Sequence, residues 1–115
     1  MSVIDPPLNS SEAAAIHGIL MESLRVLQGL EFKFPMIGAA NIGDVMYQVV
    51  IENYHDIQYR DNAMVTIKCR DWTLVVPASA YYRDGKIDLA MQRATLTEGS
   101  RDQLKHSLTL VAMFL

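Results

Sequence analysis

The sequence predicts an α+β domain: an N-terminal helix, a four-stranded antiparallel β-meander and a C-terminal helix, both helices packed on one sheet face. Three observations carry this reading. Apolar residues recur at steps of three and four near both ends of the chain. Between them, from Val45 to Arg93, the apolar period drops to two. Two turn signals, Arg70-Asp71 and Asp84-Gly85, then bring the same even-numbered face of the strand between them into both hairpins.

Residues 1–9, with Pro6-Pro7, read as an extended arm, and 10–115 as one domain. Asn9 and Glu12 have capping-box spacing, so a helix is expected over about 10–28, ending at Gly29. Ala13, Ile16, Leu20, Leu24 and Leu27 form its apolar stripe. Phe32 to Phe34 is a possible short edge strand, ended by Pro35, and the glycine-bearing stretch from Gly38 to Gly43 reads as a loop.

The first full strand starts at Val45 and turns through Arg60-Asp61-Asn62. A two-residue loop at Arg70-Asp71 pairs Cys69 with Trp72, Ile67 with Leu74 and Val65 with Val76, all on one face. A loop at Asp84-Gly85 pairs Tyr82 with Ile87, Ala80 with Leu89 and Ala78 with Met91. Pro77 lacks a donor, so a bulge or break is expected there. After a Thr97-Glu98-Gly99 turn, Ser100 and Gln103 cap a second helix. Its stripe is Leu104, Leu108, Val111 and Leu115, and Leu110, Met113 and Phe114 make its end apolar nearly all round. Such an end calls for a sandwiching core or a second chain. Met21, Met64, Met91 and Met113 are expected to fill gaps in the core.

Composition narrows function by exclusion. The 115 residues (12.9 kDa) are half hydrophobic and one-fifth charged, which suits one folded core. Ten Lys/Arg against thirteen Asp/Glu leave a net charge of −3, so phosphate neutralisation is not available and no nucleic-acid partner is expected. The single cysteine, Cys69, rules out an internal disulfide and fits a reducing compartment. No basic residue lies in the first nine, and no apolar run reaches the roughly 18 residues of a membrane span. A cytoplasmic protein without membrane attachment is expected.

Few residues invite chemistry. His17 and His106 have Met21 and Leu110 at i+4, which cannot complete a metal pair. His55 and Asp56 are adjacent, so on a strand they face opposite ways. Cys69 faces Trp72 and reads as a small hydrophobe rather than a nucleophile assisted by Arg70. Gly38 to Gly43 lacks the Gly-Lys-Ser/Thr ending of a phosphate loop. No catalytic residue, metal or cofactor is expected.

A meander places its first and third turns at one end of the sheet. Tyr59-Arg60 and Tyr82-Arg83 then stand side by side, and these residue types are enriched at interaction hot spots. The second sheet face, with Met46, Val50, Thr66, Lys68, Thr73, Val75 and Ala90, is too apolar for a plain solvent face. Cover by residues 31–44 or by a second copy is expected. The reading is a non-enzymatic, homodimeric protein-binding module of the adaptor, chaperone-like assembly-factor or phage or bacterial inhibitor kind. The alternative is a small-ligand binder or small hydrolase-like enzyme with a pocket between the first helix and the sheet.

Overall fold

The structure, a computed structural model, describes residues 3–24, 35–56, 59–79 and 88–115; for 53–56, 59–62 and 79 it describes the backbone alone. The order is α1 (Ser10–Ser23), β1 (Met36–Ile42), β2 (Val45–Asp56), β3 (Tyr59–Lys68), β4 (Thr73–Ser79), a 3-10 turn (Met91–Arg93), β5 (Thr95–Glu98) and α2 (Arg101–Phe114). The α+β class, the antiparallel meander and the flanking helices are as expected. The sheet, however, has five strands in the order β1-β2-β3-β4-β5, not four.

Both helices start where their capping boxes place them. The Asn9 side chain accepts from the Glu12 amide at 2.7 Å, and the Glu12 carboxylate accepts from the Asn9 amide at 3.1 Å. Ser100 and Gln103 repeat the exchange at 3.2 and 2.8 Å. The α1 helix ends at Ser23, earlier than expected, and Gly29 lies outside the described residues.

Two of the five strands fall outside the expected ones: β1, in the stretch read as a loop, and β5, which lies beyond the expected pairing partners Leu89 and Met91. Met36, Gly38, Ala40 and Ile42 face inward, while Ile37, Ala39 and Asn41 face out. Gly38 has no side chain because α1 ends on it: a Cβ there would collide with the Ser23 carbonyl. Gly43 and Asp44, with φ of 57° and 64°, make the tight turn into β2. The segment thus extends the sheet edge instead of covering its second face. Phe32 to Phe34 lie outside the described residues.

The β3–β4 hairpin has the expected register, with Ile67 opposite Leu74 and Val65 opposite Val76. Cys69 donates to the Trp72 carbonyl at 3.0 Å, closing the Arg70-Asp71 loop. Pro77 causes no bulge. It falls at a pair that exchanges no hydrogen bonds with β3, so its missing N–H points away from that strand. Its carbonyl accepts from Ala90 at 2.8 Å.

Three turns move. Arg60, Asp61 and Asn62 belong to β3, because β2 runs on to Asp56 and pairs Tyr54 with Asn62 and Asp56 with Tyr59 across a bulge. Ala78 pairs with Leu89, not Met91, and Met91 lies in the 3-10 turn. Ala80, Tyr82, Asp84, Gly85 and Ile87 lie outside the described residues. Thr97 and Glu98 belong to β5, which leaves Gly99 (φ 86°) to turn the chain into α2.

One continuous core joins Ile16, Ile19 and Leu20 of α1, Leu104, Leu108 and Val111 of α2, and the inward residues of the sheet. Trp72 is buried there beside Tyr47, with ring centroids 6.0 Å apart. The N-terminal arm docks on this core: Ile4 is buried and its amide donates to Ala94 at 3.1 Å.

Candidate functional site

Among the described residues, the two ends of the sheet and a corner where the helices close stand out as places where side chains can carry an interaction. At one end, Tyr59 and Arg60 begin β3, and Ser79, the last residue of β4, lies opposite Asn62. The register therefore brings the start of β3 to the end of the sheet from which the chain leaves β4. Tyr82 and Arg83 lie outside the described residues, as do the side chains of Tyr59 and Arg60.

The opposite end holds the two hairpin tips, Gly43-Asp44 and Arg70-Asp71. A cleft of about 420 Å3 lies between them, lined by Asp44, Met46, Lys68, Cys69, Arg70 and Asp71 among others. Its two cations and two carboxylates cancel, so it selects neither an anion nor a cation by net charge. Burial pushes the Cys69 thiol up, against the pull of backbone hydrogen bonds from Asp71 and Trp72. It stays a thiol at neutral pH and is a poor nucleophile.

The third place is an apolar corner. Met113 is 73%, Phe114 63% and Leu115 56% exposed, so Met113 and Leu115 do not join the core as expected. These side chains rest on glycines: Phe114 lies against Gly43, where a Cβ would be 2.7 Å from Cε2, and Leu115 against Gly18. Met21, one turn beyond Gly18 and 41% exposed, extends the corner along α1 instead of filling the core.

Among the described side chains, no two histidines share a helix or a site. His17 and His106 are exposed on their helices, and the His55 side chain is not described. Among the described residues, no group of three His, Cys, Asp or Glu can hold a metal ion. The inward face of α1 is closely packed, with Ile16 and Ile19 fully buried in the same cluster as Val49 and Ile51.

The sequence reading missed an ion pair between buried Glu12 and half-buried Arg101. Arg101 forks onto Glu12 with two hydrogen bonds of 2.7 Å and also donates to the Pro6 carbonyl at 2.8 Å. One guanidinium thus joins both helix starts to the N-terminal arm. The Arg101 guanidinium holds the Glu12 carboxyl below its ordinary range, partly offset by burial. A signal existed: an arginine in the first turn of α2 opposes the helix dipole and calls for a carboxylate elsewhere.

No family model matches the chain, and neither a curated protein nor a solved structure matches it. Among the described residues, no helix is long and apolar enough to cross a membrane.

Proposed function

We propose that the chain is a non-enzymatic protein-binding module of the cytoplasm that works as a homodimer, in the manner of small adaptors, chaperone-like assembly factors or phage and bacterial inhibitor proteins. The observation that carries the protein-binding part of this reading is the apolar corner. Met113, Phe114, Leu115 and Met21 are all exposed, and Phe114 and Leu115 lie against the Gly43 hairpin tip and Gly18 of α1. Patches of this kind mark protein contacts more often than scattered exposed side chains do. The homodimer is a separate inference: a self-complementary surface elsewhere on the chain serves both copies at once.

The proposed contacts for the protein partner are Tyr59, Arg60, Tyr82 and Arg83, residue types that supply aromatic area and forked donors. Light scattering at micromolar concentration tests the assembly and should give about twice the 12.9 kDa chain mass. A monomer throughout that range refutes it. For the rim, Arg60→Ala and Arg83→Ala should each weaken partner binding by about 1 kcal/mol or more, while Arg70→Ala at the opposite end binds normally. Equal binding by all three variants removes the rim.

A further inference from the structure

The two edges of the sheet are built differently. The β5 edge is four residues long, contains Glu98 and carries a register shift against β4. Short, charged and irregular edges are the usual protection against pairing with another chain. The β1 edge has none of these features. It is seven residues long, Met-Ile-Gly-Ala-Ala-Asn-Ile, uncharged and in unbroken register with β2. Its single proline, Pro35, lies before the first paired residue.

The backbone of β1 has a further property. The two-residue turn at Gly43-Asp44 makes Ile42 and Val45 a hydrogen-bonded pair. Counting back along the unbroken register, Ala40 and Gly38 also bond to β2. Ile37, Ala39 and Asn41 therefore aim their N–H and C=O groups outward, and among the described residues nothing pairs with them. These three residues are spaced symmetrically about Ala39.

We infer that a second copy of this chain pairs antiparallel with β1 about a two-fold axis through Ala39, joining two five-stranded sheets into one of ten. The proposal rests on the homodimer reading and names its interface. Ala39 meets Ala39 of the second copy, and Ile37 meets the second copy's Asn41. Each copy offers three N–H and three C=O groups, so six interchain bonds form and no outward group is left over. A shift by one residue would aim inward-bonded residues at the outward ones, and a shift by two would leave an outward residue without a partner strand, so this register forms the most bonds. Gly38, Ala39 and Ala40 keep the centre free of bulk, and Ile37, now 70% exposed, gains cover from the second copy.

Alanine 39 is exposed and its N–H takes no part in the ladder with β2, so Ala39→Asp leaves the single chain able to fold. In the dimer it sets two carboxylates directly opposite each other. The dimer dissociation constant should rise about a hundredfold, read by light scattering across a dilution series. Ala39→Lys is the second variant, and circular dichroism melts confirm that both fold. Phe114→Asp, in the apolar corner, should remain a dimer. A wild-type dimer that persists in both Ala39 variants overturns the edge pairing but leaves the homodimer standing. Loss of the dimer in Phe114→Asp alone moves the interface to the corner and likewise overturns it. A wild-type monomer overturns both proposals.

Discussion

The two faces of the sheet use alternate residues of the same strands and are stabilised by different physics. On the helix side, one row reads Gly38, Val49, Ile67, Leu74 and Leu96 across all five strands. Its three central members are fully buried, and burial against the helices stabilises them. On the open side, the neighbouring row reads Ile37, Val50, Thr66, Val75 and Thr95. Every residue in that row is β-branched. Such side chains are stiff, lose little entropy in a strand and pack against their cross-strand neighbours without needing cover. The open face is thus apolar enough to look like an interface while being a ladder of strand-forming residues. A half-apolar face does not require a lid.

Truncation on the helix side should have the largest effect. Trp72→Ala removes the biggest buried side chain, beside Tyr47, and should cost about 3–5 kcal/mol in a urea melt. For a domain of ordinary stability that is close to the whole margin. A small loss would mean that the covered face is not the stabilising one.

Next comes the ion pair at the helix starts. Glu12→Gln leaves the Arg101 fork half-satisfied and should cost about 1–3 kcal/mol near neutral pH. The effect has a pH signature. The Glu12 carboxyl titrates below its ordinary 4.5 in the folded chain. Its contribution is therefore complete above that value and fades as pH falls through the lowered folded value. The Glu12→Gln variant should lack this component of acid destabilisation, so the two stability curves converge in acid. Curves that stay parallel to low pH would show that the pair contributes nothing.

The open face should give the smallest change. Thr66→Ala trims one rung between Val50 and Val75 and should cost about 0.2–1 kcal/mol. A loss approaching that of Trp72→Ala would reveal a buried surface where the comparison has a ladder.

Legibility followed how local each signal was. Both capping boxes and the Arg70-Asp71 register could be read, because each is decided within a few residues of sequence. The β1 strand was hidden by its own packing. Gly38 has no side chain because the end of α1 closes over it, and that contact is invisible without the fold. Its turn also uses Gly43-Asp44, the reverse of the common dipeptide order. The β2–β3 turn was misplaced because Asp61 and Asn62 favour turns, while pairing with β2 draws them into a strand. Of the site, the apolar end of α2 was legible as a surplus of apolar residues. Its seat on Gly18 and Gly43 was not, nor was the Arg101 fork, since each joins segments distant in sequence.

The claim that the covered side holds the fold while the β1 edge holds the assembly is tested most directly by amide hydrogen exchange along β1. Gly38, Ala40 and Ile42 bond to β2 and should be protected at every protein concentration. Ile37, Ala39 and Asn41 should be protected only in the dimer, so their exchange should slow as concentration rises through the dissociation constant. Fast exchange at all three in a wild-type dimer would contradict the account.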